Sequence, residues 1–81
     1  MNSKLLEKQI ISLISKILNL KVSQLNQKSS AKNIKNWDSM NHVKIIVGLE
    51  KEFKVKINTS VAMELDSIKK IVNFINKDNA F

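Results

Sequence analysis

The chain has 81 residues, of which 43% are hydrophobic, and this length supports one compact domain over residues 1–81. Its net charge of +7 arises from 14 lysines against 7 acidic residues, with no arginine. The lack of cysteine and the single histidine exclude a disulfide framework and a zinc site, and no apolar run approaches the roughly 18 residues that cross a bilayer. We therefore expect a cytoplasmic monomer with no resident metal and no stable membrane association.

The first predicted helix covers residues 4–18. Apolar side chains recur there at intervals of three and four, at Leu6, Ile10, Leu13, Ile14 and Ile17. This spacing places them on one face of an α-helix, which must pack against the rest of the chain. The lysines of the segment fall mostly elsewhere around the helix, so the opposite face is expected to be solvated.

The segment after this helix is predicted to be a connection without regular structure. The connection begins with an apolar string, which we expect to hold it against the core: Leu20, Val22 and Leu25. Residues 26–36 are polar and rich in lysine, with only Ala31 and Ile34 expected to anchor them. We expect residues 26–36 to be the most mobile part of the chain, since polar connections run over the surface.

The second predicted helix begins after Asp38 and runs to about Lys54. The residues expected to face the core are Val43, Ile46, Leu49 and Phe53. Gly48 lies in the middle of this helix, where glycine costs about 1 kcal/mol relative to alanine, which indicates that a neighbouring helix approaches closely. Glu50 and Glu52 are two positions apart and diverge around the helix, so we expect a solvated face rather than an acid–base pair.

The last third of the chain predicts an extended segment and two further helices. Residues 53–57 alternate like a strand, but no second alternating segment exists to pair with them, so an extended crossing is expected. A short helix that Asn58, Thr59 or Ser60 can cap holds Val61, Met63 and Leu65, which are expected to contribute to the core. A last helix follows Asp66 or Ser67, and its predicted inward residues are Ile68, Ile71, Val72 and Ile75. The fold class is therefore all-α, a small four-helix bundle with three longer helices and one short helix.

The positive charge is concentrated in the first half of the chain. Residues 1–36 hold seven lysines against one acid, a net charge of +6, whereas residues 37–81 are net +1. One interpretation is a lysine-rich helical module that binds nucleic acid or an anionic membrane through the first helix and the following loop. The absence of arginine argues against sequence-specific DNA binding, and the A- and T-rich codons of lysine, asparagine and isoleucine offer nucleotide bias as a plainer explanation.

The predicted start of the second helix is the segment whose chemistry stands out. With Asp38 as N-cap and Ser39 as the first helical residue, the serine hydroxyl lies beside unpaired backbone N–H groups and the positive end of the helix dipole. An anion attached to Ser39 would be stabilised there. Trp37 can pack back on His42 and fix how the loop meets the helix. The alternative is an ordinary capped helix with an exposed serine.

Asp38, Ser39 and His42 also supply the residue types of a hydrolytic triad. Asp38 is needed as the cap, however, and the chain has no glycine-rich turn to form an oxyanion hole. A domain of this size also leaves little room for a pocket that excludes water. We therefore rank a serine hydrolase below the other interpretations.

The segment from Trp37 to Ile57 resembles the attachment site and second helix of acyl carrier proteins. The matching residues are Trp37-Asp38-Ser39-Met40, Val43, Ile46, Leu49-Glu50-Lys51-Glu52-Phe53 and Val55-Lys56-Ile57. The resemblance extends to the first amphipathic helix, the long loop, the short third helix and the final helix, and so covers nearly the whole chain. It implies the small helical bundle of that family.

This resemblance implies that Ser39 is esterified by the 4′-phosphopantetheine of coenzyme A, whose thiol carries an acyl group as a thioester. The protein would then be a carrier, not an enzyme. Asp38 would help to bind the magnesium used by the phosphopantetheinyl transferase that installs the arm. The residues implied to face the enzymes that load and transfer the acyl group are Met40, Val43, Lys44 and Val47.

The chain also departs from the usual pattern of that family. Its members usually have glycine shortly before the Asp-Ser pair and leucine after it, whereas Met40 follows the pair here. Their second helix is strongly acidic, whereas Asn41 and Lys44 stand here at positions often occupied by acids. Docking onto basic enzymes of fatty acid synthesis should therefore be weaker, which favours a specialised lipid or secondary-metabolite pathway. A peptidyl or aminoacyl carrier is the alternative, because the same arm serves both chemistries.

Overall fold

The computed structural model describes residues 3–78, which form four α-helices. These are α1 (Ser3–Leu18), α2 (Ser39–Phe53), α3 (Thr59–Glu64) and α4 (Ile68–Asp78), with a short 3₁₀ turn at Val22–Gln24. The prediction of three longer helices and one short helix is confirmed, with boundaries within about one residue of those expected for α1 and α2. None of the helices between residues 3 and 78 combines the length and apolar character needed to span a bilayer.

The core is built around α1, which contacts both α2 and α4. Its fully enclosed side chains come from these three helices and are Leu6, Ile10, Ile14, Leu18, Ile45, Leu49, Ile68, Ile71 and Ile75. All four residues predicted to face inward from the last helix are buried. Burial of this aliphatic cluster is the main favourable contribution to folding, because each fully buried side chain of this size contributes about 1.5–3 kcal/mol.

Two residues predicted to face the core are exposed instead. Val43 is 59% exposed, and Ile45 takes its place in the core. Ile45 and Leu49 are one turn apart, whereas Val43 lies about 200° around the helix from Ile45 and so faces solvent. Met63 is 74% exposed because α3 is helical, so a residue two positions from the half-buried Val61 lies on the other side.

The connection between α1 and α2 is fastened more firmly than its composition predicts. The backbone N–H of Ala31 donates to the carbonyl of Asp66 at 2.9 Å, and that of Ile68 donates to the carbonyl of Ser29 at 3.0 Å. Ser29 is buried, and its hydroxyl accepts from the backbone N–H of Asn26 at 3.0 Å. The prediction that Ala31 and Ile34 are the only anchors is therefore wrong, since backbone hydrogen bonds tie the loop to the start of α4.

The apolar string at the start of this connection is only partly buried. Leu25 is buried and Leu20 packs against the core, but Val22 is 55% exposed in the 3₁₀ turn. After α2, residues 55–58 belong to neither a helix nor a strand, and the backbone of Asn58 is extended, whereas Phe53 of the predicted crossing segment belongs to α2. Glu50 does not belong to a solvated face, because its Oε2 accepts a hydrogen bond of 2.9 Å from the backbone N–H of Ile57.

Gly48 lies where α2 packs against Leu13 and Ile17 of α1. A Cβ at this position would lie 3.2 Å from Cδ1 of Leu13 and 3.5 Å from Cδ1 of Ile17. The glycine therefore permits the close approach of the two helices, as its cost in helix propensity indicates. This packing sets the position of α2, and with it the position of Ser39 at the start of the helix.

Candidate functional site

The candidate site lies at the N-terminus of α2. Asp38 is the N-cap residue, with extended backbone, and its Oδ1 accepts a hydrogen bond of 2.9 Å from the backbone N–H of Asn41. Ser39 is the first helical residue and is exposed to solvent. The predictions of the cap and of the serine position are both confirmed. The hydroxyl therefore stands at the positive end of a helix of 15 residues, where negative charge is stabilised.

Trp37 and His42 form the wall next to this helix start. Trp37 is buried, and its ring stacks on that of His42 with centroids 6.2 Å apart and planes 27° apart. The indole Nε1–H donates to Nδ1 of His42 at 3.0 Å. Nε2 of His42 lies 2.7 Å from the carbonyl oxygen of Ala62 in α3. Because Nδ1 accepts, Nε2 carries the proton and donates to Ala62.

These two hydrogen bonds decide against the hydrolytic trio. A general base must offer a lone pair to the hydroxyl that it deprotonates. In His42 the lone pair of Nδ1 is taken by Trp37, and Nε2 faces Ala62. The histidine is therefore a structural bridge next to Ser39, and the expected packing of Trp37 on His42 is confirmed.

Asn41 fastens the loop to α2 on the other side of the site. Its Nδ2 donates to the carbonyl of Asn36 at 2.7 Å, and Nδ2 of Asn36 donates to the carbonyl of Leu18 at the end of α1 at 3.0 Å. An aspartate at position 41 would place a carboxylate against the carbonyl of Asn36 and could not donate. Sequence reasoning treated Asn41 only as a missing acid and did not find this role.

An open groove of about 440 Å³ runs beside Ser39. Its wall combines the aromatic pair with polar groups and one side chain of α3, and consists of Ala31, Trp37, Asp38, Ser39, His42, Met63 and Asp66. A flexible group attached to the Ser39 hydroxyl therefore has both apolar and polar surface to lie against. The groove is open to solvent, so the group could also extend away from the protein.

Exposed apolar side chains are concentrated around Ser39. Six large hydrophobic residues between positions 3 and 78 are exposed, and four belong to the first nine residues of α2 and to α3: Met40, Val43, Val47 and Met63. The three in α2, Met40, Val43 and Val47, are three and four positions apart and so lie on one face of the helix. Lys44 is exposed on the same helix and has no ion-pair partner within the described range. Sequence reasoning missed Met63 because it assigned α3 an inward alternation.

Comparisons with known proteins match this region and most of the chain. A family model described as the phosphopantetheine attachment site matches residues 8–75, which include Ser39 and all of α2. An acyl carrier protein of Buchnera aphidicola subsp. Schizaphis graminum is 36% identical over 73 residues, 90% of this chain and 92% of that protein. An acyl carrier protein of Porphyromonas gingivalis is 29% identical over 72 residues, 89% of this chain and 92% of that protein. A further one, of Buchnera aphidicola subsp. Acyrthosiphon pisum, is 29% identical over 76 residues, 94% of this chain and 95% of that protein.

Proposed function

The chain belongs to the acyl carrier protein family, and on that premise we propose that Ser39 is the residue to which its arm is attached. Members of this family are carriers, not catalysts, and hold a covalent 4′-phosphopantetheine. The thiol of this group carries an acyl chain as a thioester. The observation that carries the proposal is the exposed hydroxyl of Ser39 at the N-terminus of α2, next to the groove.

The residues at this position suit a phosphodiester. The first N–H groups of a helix have no partner within the helix, and together with the dipole they favour an attached phosphate. The hydroxyl is not needed for packing, since Ser39 is exposed and the cap is supplied by Asp38. Ser39 can therefore be modified without loss of any contact that holds the fold.

Asp38 is proposed to serve a second role during modification. One of its carboxylate oxygens, Oδ1, is used by the cap. The other, Oδ2, makes no hydrogen bond to the residues that the structure describes and is open to solvent. Carboxylate oxygens are the ligands that magnesium prefers. Asp38 could therefore bind the magnesium of the phosphopantetheinyl transferase through Oδ2 while Oδ1 continues to cap α2.

The partner enzymes are proposed to bind a surface that we call the docking face, formed by Met40, Val43, Lys44, Val47 and Met63. Its exposed side chains are apolar except for Lys44. A partner that fits would offer apolar groups to the methionines and valines and an acid opposite Lys44. An enzyme selected for an acidic carrier helix would meet the wrong charge at that point, which supports a specialised lipid or secondary-metabolite pathway. The cytoplasmic location, the monomeric state and the single domain over residues 1–81 stay predictions.

The attachment site can be tested by the mass of the intact protein. The protein is incubated with coenzyme A, magnesium and a phosphopantetheinyl transferase of broad specificity, and wild type is expected to gain one phosphopantetheinyl group. Ser39→Ala should gain none and should unfold at nearly the wild-type temperature, because its hydroxyl contributes little to packing. Ser60→Ala is the matched control, since Ser60 is an exposed serine in the first turn of α3. A modified Ser39→Ala, or an unmodified wild type, would contradict the proposal.

A further inference from the structure

One side chain joins the three segments that surround Ser39. His42 belongs to α2, accepts from Trp37 in the preceding loop and donates to Ala62 in α3. The two bonds are 3.0 and 2.7 Å long, and the ring of Trp37 also stacks on that of His42. The loop, the modified helix and the short helix thus meet at a single imidazole.

We infer that His42 is a positioning residue for the modification of Ser39: it fixes Trp37 and α3 relative to the serine and so sets the shape of the surface that the transferase meets. The inference rests on the proposed attachment at Ser39. His42 need not contact the transferase or coenzyme A for this role, because it acts through the two walls of the groove that it connects.

The short helix α3 packs against the core through Val61 and Ala62, and the bond from His42 is the side-chain hydrogen bond that joins it to α2. Within residues 3–78, the hydrogen bonds found for α3 are those of its own turn and caps and the bond from His42. An isolated helix of six residues is not stable in water, so its position must come from its neighbours. Ala62, which His42 holds, is adjacent to Met63, which lines the groove beside Ser39. Loss of the bond should therefore release the α3 wall of the groove.

The bonding pattern of the imidazole suggests which substitutions separate its roles. His42 offers one acceptor to Trp37 and one donor to Ala62. A glutamine side chain also offers one acceptor and one donor, whereas phenylalanine keeps an aromatic ring but offers neither. His42→Gln should therefore restore part of the function that His42→Phe loses. A purely space-filling role would give the opposite order, with phenylalanine the better replacement.

The first readout is spectroscopic and follows from the single tryptophan of the chain. The indole N–H of Trp37 gives one resonance in a proton–nitrogen spectrum, so no assignment problem arises. In His42→Phe its hydrogen exchange should accelerate about three- to tenfold, the effect of losing one net hydrogen bond. In His42→Gln the exchange rate should lie closer to that of wild type.

The second readout is the kinetics of the transferase with the protein as substrate. His42→Phe should raise KM about three- to tenfold and leave kcat within about twofold, because the shape of the bound surface changes and the Ser39 hydroxyl does not. His42→Gln should recover most of the KM. A KM and an exchange rate unchanged in His42→Phe would overturn the inference, and so would recovery by phenylalanine but not by glutamine.

The test must also allow for unfolding of His42→Phe and for failure of the proposed attachment site. If circular dichroism shows that His42→Phe is unfolded, Trp37→Phe replaces it, because this variant removes the donor to Nδ1 and leaves the bond to Ala62 in place. An unchanged KM in Trp37→Phe would then overturn the inference. Failure of the proposed attachment site is recognised separately, since Ser39 would remain unmodified in wild type as well.

Discussion

Replacement of the cap residue Asp38 separates its structural role from its proposed role in modification. In Asp38→Ala the backbone N–H of Asn41 loses the acceptor that lies 2.9 Å away. Loss of an N-cap costs about 1 kcal/mol, and loss of a negative charge at the helix start costs about 0.3–1 kcal/mol more. The sum of about 1.3–2 kcal/mol should lower the midpoint of thermal unfolding by roughly 5–16 °C, since each kcal/mol shifts a domain of this size by about 4–8 °C.

Asp38→Asn is the matched variant, because its amide oxygen can still cap Asn41 while the charge is lost. Its free energy of unfolding should therefore stay within about 1 kcal/mol of wild type. Both variants should be modified more slowly than wild type, since neither offers a carboxylate to magnesium. The assays are thermal unfolding by circular dichroism and the initial rate of phosphopantetheinylation. Modification of Asp38→Asn at the wild-type rate would show that Asp38 only caps the helix, and an unchanged unfolding midpoint in Asp38→Ala would refute the energetic argument.

Two further substitutions test the end of α2 and its exposed charge. Lys54→Gly should raise the free energy of unfolding by up to about 1 kcal/mol in urea titrations, because Lys54 adopts the left-handed conformation with φ of 52° that glycine adopts without strain; a less stable variant would contradict this. Lys44→Glu, with Asn41 kept for its bond to Asn36, should speed loading by a fatty-acid partner enzyme at low salt. This gain in loading rate should shrink as ionic strength rises, because exposed charges are screened over about 8 Å at physiological salt. The control is Lys16→Glu on α1, which should not change the loading rate. Equal gains in both variants would show that only the net charge of the protein matters.

The helices could be predicted because the spacing of apolar residues along the chain indicates a helix directly. The four inward residues of α4 recur three and four positions apart, and all are buried. The site was predictable for a similar local reason: Asp38 caps the helix that Ser39 begins, and both roles depend on residues within one turn. Resemblance to the carrier family then supplied the chemistry, which the helix start alone does not specify.

The contacts that sequence reasoning missed are those between residues far apart in the chain. Nothing local in the sequence indicates that Ser29 and Ile68 share a hydrogen bond, or that His42 reaches Ala62. Val43 was also wrongly assigned to the core, because spacing alone does not distinguish an apolar residue that faces the core from one on an exposed binding surface. Met63 was assigned to the core for a different reason, the alternation of Val61, Met63 and Leu65 along the chain, although the helix directs Met63 to solvent.

The backbone hydrogen bonds between the loop and the start of α4 have a consequence for the order in which the site can form during translation. Ser29 and Ala31 precede Ser39, but their partners Ile68 and Asp66 are made after it. A nascent chain that ends before Asp66 can form α1 and α2 and the bonds from Asn36 and Asn41, but it lacks the partners that hold Ser29 and Ala31. The surroundings of the serine are therefore complete only once Ile68 has left the ribosome, so a transferase that recognises the closed loop would modify chains that extend past this residue in preference to shorter ones.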